Sequence, residues 1–150
     1  MPALSHIGLG LAAKPAAPEI PVGVLIGAAL AIDILYGAFA LVGIVGGVRV
    51  DSVAWSHSLP MAAMGSIAFS LLALRIYRDG RAAFVSGLLV FSHWVLDFLM
   101  WPPSASLLYP GGPAVGLNLG QPIGVSVVFE FGMLILGAAV WLRIRKRPAG

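Results

Sequence analysis

Residues 82–101 read AAFVSGLLVFSHWVLDFLMW. As a helix, this run rises about 30 Å, the thickness of a bilayer's hydrocarbon core. Its only ionisable residues are His93 and Asp97, so it is read as a membrane span that carries polar cargo. Three further windows pass the same length test: 21–47, 56–75 and 122–142. Arg75 snorkels at the end of the second of these, which begins near Ser56. The segment LSHIGLGLAA (4–13) is apolar around one His but too short to cross, so it is read as a re-entrant or interfacial piece. The predicted fold is an all-α integral membrane protein with four transmembrane helices plus this short N-terminal segment. No internal repeat or low-complexity tract divides the chain, so residues 1–150 form one domain.

Composition supports the reading. Hydrophobic residues make up 59% of the chain and charged residues 10%, against about 25% charged in soluble proteins. Mean hydropathy is +0.98. An ordinary soluble domain is excluded. The net charge of +3 is concentrated at Arg143, Arg145, Lys146 and Arg147 beside an apolar run. That pattern marks a membrane-surface anchor and not a nucleic-acid footprint, so the partners expected are membrane lipids, with a homo-oligomer left open. There is no cysteine, hence no disulfide framework and no thiolate ligand. The opening residues lack a basic n-region ahead of an apolar stretch, so no cleaved signal peptide is expected.

Basic residues gather at Arg75, Arg78 and Arg81, at Lys14 and in the C-terminal tail, whereas the 102–121 loop holds no charge. The positive-inside rule then makes both termini cytoplasmic. Trp55, Trp101 and Tyr109 fall at the outer interface, with Tyr77 and Trp141 at the inner one. The loop WPPSASLLYPGGPAVGLNLGQP (101–122), rich in Pro and Gly yet apolar, is expected to fold over the bundle mouth.

Three of the six acids lie inside spans: Asp33, Asp97 and Glu130. No Lys or Arg lies inside any span to neutralise them. An ionised carboxylate near the bilayer centre costs roughly 2.5–3.5 kcal/mol even on the lenient insertion scale, so such groups face the bundle interior and need a positive partner. Protons, a protonated His and a bound metal cation are the three candidates. His93 and Asp97 stand four residues apart, so their side chains share one helix face at metal-ligand spacing. From 1.5 Å per residue, Asp97 lies about 6 Å below the outer surface, His93 and Glu130 about 12 Å and Asp33 roughly 18–20 Å, with His57 near the mouth. Sequence yields depth but not rotation about each helix, and plainer roles exist. His57 in AWSHSLP can cap the second span together with Ser56 or Ser58, and Pro60 suits the first turn. His6 can sit at the interface. Glu130 can be a protonated carboxyl packed between helices. The glycines at 23, 27, 37 and 43 and the small residues of the second span are read as packing surfaces.

The runs SHIGLGLAAK, AIDILY, WSHSLP, SHWVLDFL and YPGGPAVGLNLG together resemble the bacterial inner-membrane family of membrane-bound metal-dependent hydrolases, over residues 4–142. That family's pattern is distantly similar to the His/Asp zinc core of phospholipase C and P1-type nucleases. The resemblance implies that His6, Asp33, His57, His93 and Asp97 bind metal and that the chain resides in the inner membrane. It departs from the family pattern at Ile44, Val45 and Gly46, where an acid is common, and at Ala54 and Trp55, where Pro-Tyr is common.

Three imidazoles and two carboxylates without thiolate suit Zn²⁺ best, with Mn²⁺ or Fe²⁺ as alternatives. Such a centre activates water and polarises a phosphoryl or acyl oxygen, so hydrolysis of a lipid or amphiphilic phosphoester near the outer leaflet is the reaction expected. Glu130 is read as the general base, or as a carboxylate that holds a ligating His. Two rival functions use the same residues. One is a small proton- or cation-coupled permease in which Asp33, Asp97 and Glu130 titrate. The other is a non-catalytic membrane subunit whose polar groups bond across helices.

Overall fold

Local signals start and stop the long helices. Ser58 accepts the Met61 amide at 3.4 Å and Pro60 occupies the first turn, so a helix begins at Leu59. It ends where Arg78 adopts a left-handed conformation (φ 54°) and its amide returns to the Leu74 carbonyl. Asp79 then caps the next helix by accepting the Arg81 amide at 2.8 Å. The computed structural model describes residues 3–41, 55–103, 107–109 and 111–146. Among these residues every regular element is helical: α1 (Leu4–Ala12), α2 (Val22–Ala29), α3 (Ala31–Leu41), α4 (Leu59–Tyr77), α5 (Gly80–Met100) and α6 (Ile123–Arg145).

Three of them, α4, α5 and α6, are long and apolar enough to cross a membrane. Large apolar side chains such as Leu71, Ile76, Phe84, Val128, Ile135 and Leu136 stand exposed along them, as side chains facing lipid do. Arg145 lies over the Trp141 ring at 4.9 Å, pairing a cation with an interfacial aromatic. The α4–α5 hairpin is stitched by the Ser66 hydroxyl, which donates to the Gly87 carbonyl at 2.8 Å.

The expected first span, 21–47, is not one continuous helix. It breaks at Leu30 (φ −99°, ψ 5°) into α2 and α3, and residues 42–47 lie outside the described set. A histidine takes up the backbone carbonyl that the break releases.

α1 is buried within the bundle. Ser5 meets Glu130 and Gly8 meets Met133, so α1 runs alongside α6 in the same direction. His6 lies by His93 while Leu9 and Ala13 share an apolar cleft with Val85 and Leu89, so α1 runs opposite to α5. α1 therefore runs from the level of Glu130 towards the start of α5, and residues 13–20 turn the chain back as α2. In the turn, Lys14 Nζ donates to the carbonyls of Pro18 and Ile20, both at 2.6 Å. Ala17 and Ile20 are fully buried in the core that also holds Leu25, Ala28, Ala82, Leu89 and Val90.

The glycine reading divides. A Cβ on Gly23, Gly27 or Gly37 would meet nothing within 4 Å among the described residues, so these are not packing contacts there, and Gly43 lies outside the described residues. Small residues of the second span do pack, since a Cβ on Gly87 would strike Ser70 and Ser66, and α1 and α6 approach as closely: a Cβ on Gly8 would strike the Met133 carbonyl, and one on Gly137 the Gly8 carbonyl.

The described residues of the 101–122 loop pack on the end of α5. Amides of Leu117, Asn118, Leu119 and Gly120 donate to the carbonyls of Phe98, Trp101, Leu99 and Met100 at 2.8–3.2 Å, satisfying acceptors that a helix end leaves open. Leu107 is fully buried, and its carbonyl accepts from Trp94 Nε1 (2.8 Å) and from the Leu59 amide (2.7 Å).

Candidate metal centre

Four segments converge on one point inside the bundle. α5 contributes His93 and Asp97, whose i, i+4 spacing brings Nε2 and Oδ2 to 3.5 Å. The turn before α4 contributes His57, with Nε2 at 3.2 Å from Asp33 Oδ1 and 3.8 Å from Asp97 Oδ2. α3 contributes Asp33, whose Oδ1 is 3.6 Å from His93 Nε2. α1 contributes His6, its ring centroid 4.0 Å from that of His93. Two triads could hold a metal ion, His6–His93–Asp97 and Asp33–His57–His93, each with donor atoms within 4.8 Å of one another. All five residues singled out from the sequence therefore meet.

Four of the five are buried; the side chain of Asp33 alone is 43% exposed. His6 Nε2 and Asp97 Oδ2 are buried without a hydrogen bond. Polar atoms in that condition are rare in folded proteins, because each forfeits its solvation with no return.

The outer nitrogens explain how the rings are held. His93 Nδ1 lies 2.9 Å from the Ala29 carbonyl, which can only accept, so Nδ1 carries the proton. Ala29 is the last residue of α2, and the break at Leu30 frees its carbonyl from the helical ladder for this purpose. His57 Nδ1 pairs with Ser56 Oγ at 2.8 Å, and His6 Nδ1 with Ser5 Oγ at 3.4 Å. All three rings thus turn their Nε2 atoms towards the common centre. Trp101 stacks on His57 (5.5 Å, 23°) and Tyr36 meets its edge at 6.0 Å, fixing the ring from two further sides.

With a proton on Nδ1, His93 turns Nε2 to two carboxylate oxygens 3.5 and 3.6 Å away, and His57 Nε2 lies within hydrogen-bond distance of the Asp33 oxygen. Negative groups so disposed repel unless positive charge lies among them.

Glu130 belongs to neither triad. Its side chain is buried, and Oε2 accepts the backbone N–H of Ser5 at 2.8 Å. The partner is the first turn of α1, and no bond to a ring nitrogen accompanies it among the described residues. Sequence reasoning passed over Ser5, Ala29 and Tyr36, and gave Ser56 a capping role and Trp101 an interfacial one. A signal existed for the serines, since each histidine in the chain directly follows one. Ser92 differs, its hydroxyl donating to the Leu89 carbonyl at 2.7 Å. Comparison with protein-family models, with curated proteins and with solved structures finds no match to this chain.

Proposed function

We propose that the chain is a membrane-embedded metal-dependent hydrolase that acts on a lipid or amphiphilic phosphoester. The reading rests on one observation: the Nε2 atoms of His57 and His93 and two carboxylates face one another with no Lys or Arg among them in the described residues. A divalent cation answers that arrangement, and the donor spacings suit it. Ligands 2.0–2.2 Å from a tetrahedral zinc ion stand about 3.3–3.6 Å apart. The His–Asp separations among His57, His93, Asp33 and Asp97 run from 3.2 to 3.8 Å. His6 joins His93 and Asp97 in the second triad, and an ion held by three of these donors keeps a position open for water. Because the proton of His93 Nδ1 is committed to Ala29, one lone pair remains, which favours a single ion. Held in such a set, zinc supplies a Lewis acid and an activated water.

In this proposal α2 and α3 together make a broken first span, so the bundle has four. The Arg75, Arg78 and Arg81 cluster and the Arg143–Arg145 end share one side, which the positive-inside rule assigns to the cytoplasm. The site then opens towards the other leaflet of a bacterial inner membrane, with Asp33 on its accessible side. The five residues are also those that the resemblance to membrane-bound metal-dependent hydrolases singles out.

Metal content decides the matter. Detergent-purified protein is expected to hold about one zinc per chain by plasma mass spectrometry, and His93→Ala none. The purified protein should also cleave a phospholipid in mixed micelles, and a chelator should stop it. Absence of stoichiometric metal, or equal metal in His93→Ala, sinks the reading.

A further inference from the structure

Glu130 is the one intramembrane acid that the proposed centre does not use, and its position is specific. It reaches across from α6 to the second residue of α1, one residue before His6. At this end of a helix the first amides lack intrahelical acceptors, and in a bilayer no water replaces them. The Ser5 amide meets Oε2 at 2.8 Å. One turn further on, Gly8 and Gly137 bring the two backbones into direct contact. Elsewhere α1 packs Gly10 against Ile26 of α2, but its nine residues make only about two and a half turns, and the helix carries no side-chain cap of its own. What α1 delivers is His6, buried, with Nε2 unpartnered and facing His93 and Asp97.

We propose that Glu130 is a positioning residue: by accepting the Ser5 amide it sets the depth and rotation of α1 and so presents His6 to the ion. This rests on the metal reading of the site. Glu130 acts through α1, and its effect on the centre exists only while His6 is there to be moved.

That dependence is the test. In Glu130→Leu, zinc affinity should fall about 10- to 100-fold, the range for residues that orient a ligand. Glu130→Gln, which keeps an acceptor, should stay near wild type. His6→Ala should weaken binding to a similar extent, and the double variant Glu130→Leu/His6→Ala should bind no more weakly than His6→Ala alone. The visible absorption of the Co²⁺-loaded protein should change alike in Glu130→Leu and His6→Ala. Gly137→Ala, which pushes α1 away by another route, should reproduce the loss should Glu130→Leu fail to fold. Losses that multiply in the double variant overturn the proposal, as does wild-type affinity in Glu130→Leu. A metal-independent arm separates this inference from the function itself. The chain lacks cysteine, so Leu11→Cys on the buried side of α1 reports docking by its reaction with a maleimide in zinc-free protein. Protection in the parent and in Glu130→Gln, with labelling in Glu130→Leu, supports the latch even if no metal binds; equal protection in all three overturns it.

Discussion

Replacing Asp97 by Asn should move stability in opposite directions with and without metal. Asp97 is buried at 4% exposure, and Oδ2 has no hydrogen bond. Without a cation, a carboxylate there is a burden. The insertion scale sets an upper bound of about 2.5–3.5 kcal/mol for such a charge at the bilayer centre, and the His57 and His93 imidazoles, 3.8 and 3.5 Å from Oδ2, reduce it to about 1–2 kcal/mol. At about 2–4 °C per kcal/mol for a chain of this length, Asp97→Asn should melt about 2–8 °C higher than wild type in chelator. With zinc at a thousand times its dissociation constant, the wild type gains about 4 kcal/mol, or about 8–16 °C. Asn lacks the charge, and a hundredfold loss of affinity leaves about 1.4 kcal/mol of that gain at the same zinc concentration. The two melting curves should therefore cross between chelator and excess zinc. Circular dichroism at 222 nm in detergent, with and without zinc, measures both. If Asp97→Asn melts lower than wild type in chelator and gains as much from zinc, the carboxylate is a hydrogen-bonded packing group and the cation argument fails.

Other outcomes follow from the packing. Gly8→Ala forces a methyl against the Met133 carbonyl and should destabilise the detergent-solubilised protein by about 1–3 kcal/mol, whereas Gly23→Ala, with open space at its Cβ, should melt within about 0.5 kcal/mol of wild type. Trp94→Phe removes the 2.8 Å bond to the Leu107 carbonyl; a loss of about 1 kcal/mol is expected, with faster hydrogen exchange confined to 107–120 by mass spectrometry. The chelator o-phenanthroline should lower the wild-type midpoint by the increment that zinc adds, and leave His93→Ala unmoved.

The long helices were legible because an apolar run of some twenty residues has one economical fate in water's presence. The 56–75, 82–101 and 122–142 windows match α4, α5 and α6 within a few residues of their ends. His93 and Asp97 were legible together because one helical turn relates them and needs no knowledge of the rest of the chain. What escaped depends on partners far away in sequence. The break at Leu30 makes sense only once His93, 64 residues from Ala29, claims its carbonyl. The direction of α1 depends on a bond between residues 125 apart. Depth along a helix could be counted from the sequence; rotation about it could not, so Glu130 and Asp97, both buried acids, could not be told apart until the bundle placed one on an amide and the other among imidazoles.

The shortness of α1 and α2 bears on how the protein is assembled. At nine and eight residues they extend about 13 and 12 Å, less than half the hydrocarbon thickness. α1 in particular cannot partition into a bilayer as an autonomous segment, since its first amides require acceptors already in place on a longer helix. Its docking must accordingly follow the insertion of α5 and α6, which hold its partners. The event that closes the bundle is then the same event that completes the ring of imidazoles, so an incompletely folded chain carries an incomplete centre.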